Sequence, residues 1–184
     1  MSGRLIYLMG ASGSGKDSLL RAIKPELLEK KIWIAHRYIT RSASDLSENH
    51  IELSKQEFAT RKNNHAFLFH WQANQFDYAI GIEVTQWLKN GINVIINGSR
   101  EHLVQTKNQS TIPVEPILIT ASREVRLQRL KQRNREDDKH IDDRLKRGDQ
   151  YDHFIHADNI IENNTDLESA AKQLINIITK VIEQ

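Results

Sequence analysis

The chain has no cysteine and only three prolines in its 184 residues. Without cysteine there are no disulfides and no thiolate-ligated zinc, which fits a reducing compartment. The opening apolar run, Leu5-Ile6-Tyr7-Leu8-Met9, is too short for a signal-peptide core or a membrane span, so a soluble, cytoplasmic protein with no membrane partner is expected. An excess of one charge is also missing. Lys and Arg number 26 against 24 Asp and Glu, a formal +2, which lacks the basic bias of a nucleic-acid binder, and no nucleic-acid partner is expected. No repeat, low-complexity tract or linker divides the chain, and nothing in it sets an oligomeric state. None of the eight histidines has metal-site spacing, although His36 and His50 neighbour charged residues, and there is no Gly-x-Ser-x-Gly or Ser-His-Asp pattern.

What is present is a phosphate loop. Gly10-Ala11-Ser12-Gly13-Ser14-Gly15-Lys16-Asp17-Ser18 lies between that apolar run and a helical segment. Glycines at this spacing let backbone N–H groups turn inward as an anion nest, and the following helix points its positive end at the anion. Lys16 then reaches the outer phosphates, and all nine residues are candidate nucleotide contacts. One letter departs from the usual pattern. Asp17 stands where a Ser or Thr normally supplies a hydroxyl to magnesium, and Ser18 follows one residue later. Asp17 and Ser18 are therefore the candidate Mg2+ ligands, Asp17 acting through the ion or its waters.

The periodicities predict alternating strands and helices. A strand over 4–9 leads into a helix over about 15–29, in which Pro25 marks a kink or an early end. Residues 32–38 read as one short strand, completing a βαβ unit and predicting a parallel sheet. A polar loop follows, then a helix capped by Ser54 with Glu57 three residues on, and strands over 66–71 and 76–80. Trp33, Phe67, Phe69 and Trp71 alternate with polar residues and are expected to pack, not to stack on bases. A helix over 83–89 precedes a strand over 92–96, which ends in Asn97-Gly98-Ser99-Arg100, where open α/β sheets keep their ligands. A helix over 99–107 and a strand over 114–120 continue the alternation.

Ser122 caps a helix carrying Arg123, Arg126, Arg129 and Arg133, with Arg123 and Arg126 expected on a solvated face. The charged stretch 133–139 and a helix over 140–148 read as a mobile lid, whose Arg133, Arg135 and Arg144 close on phosphates as catalytic groups beside Lys16. A strand near 158–162 and a helix over 166–181 end the chain, the helix burying a stripe that includes Leu167. The expected architecture is an α/β P-loop NTPase fold in one domain. Its core comprises 1–36, 83–132 and 150–184, a substrate lobe spans about 37–82, and a lid spans about 133–149.

The loop at 10–20, Ala35-His36-Arg37-Tyr38-Ile39-Thr40-Arg41, Ser47 to Ile51, Trp71 to Asn74, Val94 to Arg100 and Arg129-Leu130 together resemble the guanylate-kinase branch of the nucleoside monophosphate kinases. Within it they are most similar to the ribose 1,5-bisphosphate phosphokinases of phosphonate degradation, which share the Asp at 17. The resemblance implies transfer of the γ-phosphoryl of ATP, with Mg2+, to the 1-phosphate of ribose 1,5-bisphosphate. The products would be 5-phospho-α-D-ribose 1-diphosphate and ADP. An already anionic acceptor oxygen needs no general base. The acceptor's two phosphates need cationic and hydrogen-bonding partners, for which Arg37, Tyr38, Arg41, His50, Tyr78, Asn97 and Arg100 are the candidates. Guanylate kinases differ at these points. Their second acceptor arginine falls on Ser44, a phosphate-binding tyrosine near His50, and the acids that read guanine near Phe69 or Trp71 and on Asn97 or Ser99. Lost carboxylates argue against GMP. A guanylate or other nucleoside monophosphate kinase is the second reading, and an inactive guanylate-kinase-like binding module a third.

Overall fold

The computed structural model describes residues 2–42, 49–73, 75–132, 138–152 and 158–183. Strand β1 (Leu5–Gly10) is buried along nearly its whole length, and helix α1 (Lys16–Glu29) follows the glycine loop. Pro25 lies inside α1 without ending it. The segment read as one strand over 32–38 is two, β2 (Ile32–Ile34) and β3 (Arg37–Ile39), and they belong to different sheets. The chain turns at Ala35-His36, a corner that apolar content alone does not reveal. Then come β4 (His50–Glu52), α2 (Lys55–Asn63), β5 (Phe67–Ala73), β6 (Phe76–Gly81) and α3 (Glu83–Lys89). Ser54 caps α2 as expected, its hydroxyl accepting from Glu57 N–H at 3.0 Å.

Strand β7 (Asn93–Asn97) is followed by α4 (Leu103–Gln109), which starts four residues later than the sequence suggests. Residues 98–102 stay outside the helix, and Tyr7 anchors Ser99 among them. Its hydroxyl donates to Ser99 C=O at 2.9 Å and lies 3.0 Å from Ser99 N–H. Strand β8 (Val114–Thr120), α5 (Arg123–Gln132), α6 (Asp138–Asp152), β9 (Asn159–Glu162) and α7 (Leu167–Glu183) complete the order.

Five strands form a wholly parallel sheet in the order β2-β7-β1-β8-β9. The alternation of side chains along β1 divides the core in two. Ile6 and Leu8 face α1 and α7, meeting Leu19, Ile23, Leu27, Leu174 and Ile178, whereas Leu5, Tyr7 and Met9 face Val84, Leu88 and the second sheet. Each such fully buried side chain contributes roughly 1.5–3 kcal/mol by leaving water. Leu167 does not join the stripe of α7, being 44% exposed at the helix start.

The second sheet, β4-β3-β6-β5, is mixed, with β3 parallel to β4 and antiparallel to β6. One face carries Arg37, Ile39, Tyr78, Ile80, Phe69 and Trp71 toward the main sheet. Its other face packs Tyr38, Phe67 and Ala79 against Leu53 and Phe58. Chain order therefore brings the carboxyl ends of β1 and β7 opposite one face of the small sheet.

Candidate functional site

Where those elements meet there is a cavity lined by the glycine loop, by Arg37, Arg41, Trp71 and Tyr78 of the small-sheet side, by Asn97 to Glu101 after β7, and by Arg144, Arg147 and Gly148 of α6. Its charge is lopsided. Lys16, Arg37, Arg41, Arg100, Arg144 and Arg147 line it, against the carboxylates Asp17 and Glu101. Such a wall suits a ligand with several anionic groups, because each guanidinium can hold a phosphate with two parallel hydrogen bonds.

The loop has the backbone a phosphate cradle requires. Gly13 sits at φ 83°, and a Cβ there would lie 2.9 Å from Arg126 C=O, so both conformation and space demand glycine. The carbonyl of Ser14 is drawn backward by Asn163 Nδ2 at 2.8 Å and Arg129 Nη1 at 3.3 Å. That polarity suits an anion nest, in which carbonyls point away and amides remain for the ligand. Lys16 folds over the loop and donates to Gly10 C=O at 2.7 Å and Ala11 C=O at 3.3 Å. A nucleotide phosphate fits this arrangement of amides, helix start and ammonium. For a divalent cation, Asp17 and Ser18 offer the oxygen chemistry that Mg2+ takes, alongside phosphate oxygens and water. Among the described residues there is no cluster of three or more His, Cys, Asp or Glu able to hold a metal.

Asp17 is held on the side of the loop that faces β7 and the small sheet. Its Oδ1 accepts from Asn97 Nδ2 at 2.8 Å and from Arg37 Nη2 at 3.3 Å. Three separate stretches of sequence thus meet on one carboxylate oxygen, which ties the phosphate loop to β7 and to the small sheet. Arg100 donates to Gly148 C=O at 3.0 Å, linking the strand end to α6.

Of the residues expected at the acceptor, Arg37, Arg41, Tyr78, Asn97 and Arg100 line the cavity. Tyr38 does not, which corrects the expectation. Adjacent strand residues point to opposite faces, so once Arg37 faces the cavity Tyr38 must face away. It packs against Phe67, lies beneath the Arg61 guanidinium and contacts Glu83 Oε1 at 3.4 Å. Burial, reinforced by the Glu83 charge, raises its pKa. His50 pairs in register with Arg37 but is not among the lining residues. Ser14 and Ser18 of the loop are likewise outside the lining set. Arg144 lines the cavity, whereas Arg133 and Arg135 lie outside the described residues.

Arg126 also corrects its reading. It is 2% exposed and donates to Ala121 C=O at 3.1 Å and to Asp149 of α6 at 2.5 Å. Arg123 is half exposed and pairs with Asp142 and Asp149. Gly148 makes the close approach of α6 possible, since a Cβ there would meet Arg126 Nη1 at 2.1 Å and Ala11 Cβ at 3.4 Å.

Trp71 both packs and lines the site. It is 9% exposed, stacked on Tyr78 at 5.6 Å and on His102 at 5.4 Å. By contrast Trp33 is 37% exposed and meets Trp87 edge-on at 5.1 Å. His102 and Asn163 escaped the sequence reading. His102, 5% exposed, shares a 2.8 Å hydrogen bond with Thr106, and burial followed by the nearby His70 lowers its pKa. Burial also pushes Tyr7 up to about 12.

Comparison with known proteins adds to this geometry. The guanylate kinase family model matches residues 2–181. The chain is 42% identical over 177 residues to the ribose 1,5-bisphosphate phosphokinase PhnN of Yersinia pestis, covering 96% of this chain and 91% of the relative. It is 48% identical over 149 residues to the protein of the same name from Dickeya zeae, covering 81% and 79%. Among solved structures, the guanylate kinase from Anaplasma phagocytophilum aligns with a TM-score of 0.77 over 100% of this chain and 88% of that one. At 18% identity that likeness shows the fold.

Proposed function

Because this chain belongs to the guanylate kinase family, we propose that it moves the γ-phosphoryl of ATP to the 1-phosphate of ribose 1,5-bisphosphate, releasing 5-phospho-α-D-ribose 1-diphosphate and ADP. It is a phosphotransferase, and its curated relatives carry the same activity in their name. The observation that carries the reading is that, among the described residues, six cationic side chains line the cavity against two carboxylates. ATP and a sugar bisphosphate together bring two clusters of phosphates, and the wall has cations on both the loop side and the acceptor side.

Lys16 is released from the loop carbonyls to the outer phosphates, where its charge stabilises the transferring group. Arg144 and Arg147 approach from α6, and we assign Arg133 and Arg135 to the same lid. Arg37, Arg41 and Arg100 hold the acceptor, with Tyr78 and Trp71 forming its wall. Mg2+, held by Asp17 or Ser18 with the nucleotide, supplies neutralising charge when bound. No side chain needs to remove a proton, since the acceptor oxygen is already anionic. We treat residues 37–82 as the substrate lobe and 133–149 as the lid of one domain, working in the cytoplasm where ATP is available. No helix among the described residues is long and apolar enough to cross a membrane.

The geometry disfavours a guanine acceptor. Among the described residues the cavity's carboxylates are Asp17, already accepting from Arg37 and Asn97, and Glu101, which faces Arg147 at 3.9 Å. Guanine N–H donors would meet no carboxylate outside an arginine pair, a loss that polar recognition sites punish by orders of magnitude. The test is an assay with ATP, Mg2+ and ribose 1,5-bisphosphate that follows ADP and identifies the sugar diphosphate by phosphorus NMR. Formation of both in equal amounts supports the reading, and ADP formation without the diphosphate contradicts it.

A further inference from the structure

Asn97 presents an atom that the fold leaves without a partner. The residue is 4% exposed and lines the cavity. Its Nδ2 donates to Asp17 Oδ1 at 2.8 Å, while its Oδ1 is buried with no hydrogen-bond partner among the described residues. A buried acceptor without a donor costs about 1–3 kcal/mol, so such an atom in a ligand cavity calls for an explanation.

The orientation of this amide follows from the chemistry of its neighbour. An ionised carboxylate only accepts, so Asn97 must turn its NH2 toward Asp17 and its carbonyl the other way. Flipping the amide would set oxygen against oxygen. Arg37, donating to the same Asp17 oxygen at 3.3 Å, helps hold that carboxylate in place. The substitution of Asp for a hydroxyl residue after Lys16 therefore has a consequence 80 residues away in sequence. It fixes a lone acceptor beside the acceptor-side arginines.

From this geometry we infer that Asn97 Oδ1 receives a hydrogen bond from a ring hydroxyl of the acceptor sugar, with Asp17 as the positioning residue that aims it. The inference rests on the sugar-bisphosphate reading above. Ionised phosphates carry no donors, whereas the 2- and 3-hydroxyls of a ribose 1,5-bisphosphate do, and they are that molecule's donors. Arginines grip the phosphates without distinguishing sugars. Asn97 supplies the discrimination, because a deoxy sugar leaves its buried oxygen unpaired.

The experiment compares kcat/KM for ribose 1,5-bisphosphate with its 2-deoxy and 3-deoxy analogues in wild type, Asn97→Ala and Asp17→Ser, each first checked for native circular dichroism. Wild type is expected to prefer the parent sugar over one deoxy analogue by roughly 100-fold or more. Asn97→Ala reduces that ratio to within about tenfold by losing activity on the parent alone, and Asp17→Ser reduces it in the same way because the amide is no longer aimed. Wild-type rates on both analogues within about threefold of the parent overturn the inference, as does an Asn97→Ala loss shared equally by all three sugars. Should Asn97→Ala not fold, the exchanged pair Asp17→Asn with Asn97→Asp decides. It returns an acceptor to position 97 and should keep the preference, and loss of the preference in a folded, active enzyme counts against the site. A wild type that turns over none of the three sugars contradicts the kinase reading. Calorimetry with ribose 5-phosphate against its deoxy forms then decides the hydroxyl site separately: weaker binding of one deoxy form supports it, and equal binding overturns it.

Discussion

Arg126 of α5, 2% exposed, donates to Asp149 of α6 at 2.5 Å, and this pair joins the helix behind the phosphate loop to the helix that covers it. Its position explains why α6 stays docked although few apolar residues hold it. Ile141, Leu145, Leu130 and Leu127 form only a small cluster there. Removing one partner leaves a buried guanidinium short of its charge. Asp149→Asn should therefore lower unfolding stability by about 1–3 kcal/mol, less than a fully buried pair because Asp149 is 43% exposed. Urea denaturation checks this, and an unchanged midpoint would show that the pair holds nothing together.

Lys16 donates to the carbonyls of its own loop, and in the proposed reaction it leaves them for phosphate. Lys16→Ala should lower turnover by roughly 100-fold or more while the thermal midpoint stays close to wild type. Steady-state kinetics beside a melting curve separates the two effects. Near-normal turnover would remove Lys16 from the chemistry.

Tyr38 provides the opposite case. Because it faces Phe67 and Glu83 on the far side of the small sheet, Tyr38→Phe should leave KM for the acceptor within about twofold, the scale of a surface change. Tyr78→Ala removes a cavity-lining ring stacked on Trp71 and should raise that KM by about tenfold or more. If Tyr38→Phe raised KM as much as Tyr78→Ala, the assignment of faces would be wrong.

His102 gives the site wall a pH dependence. Burial lowers its folded pKa below the ordinary 6.5, with the His70 charge acting in the same direction. The neutral ring is the folded form, so its contribution to stability is present above pH 6.5 and is lost as pH falls through the lower folded value. Between pH 7 and pH 5 the wild type should lose stability relative to His102→Phe. Denaturation monitored by tryptophan fluorescence, to which Trp71, stacked on His102 at 5.4 Å, contributes, checks this. Parallel pH curves for the two proteins would contradict it.

The glycine loop between strand and helix, the parallel order and the polar end of β7 that lines the cavity were legible in the sequence because each rests on local signals: glycine spacing, buried apolar runs and a polar strand end. Long-range partners were not. Helical spacing placed Arg126 on a face but could not show that Asp149, 23 residues on, neutralises it. Reading 32–38 as one strand hid the corner at Ala35-His36, so the alternation that separates Arg37 from Tyr38 had no starting phase. Asn163 did leave a signal, a polar residue at the carboxyl end of β9, where open sheets place ligand loops. Asp17 was conspicuous as a departure, yet only the fold brings Asn97 and Arg37 to it.

The acceptor identity is tested most directly by measuring kcat/KM with ATP and Mg2+ for ribose 1,5-bisphosphate, GMP, dGMP and AMP in parallel. A cationic cavity whose carboxylates among the described residues both face arginines predicts that the sugar bisphosphate exceeds each nucleotide by at least roughly 1,000-fold. GMP turnover equal to or faster than that of the sugar would contradict it.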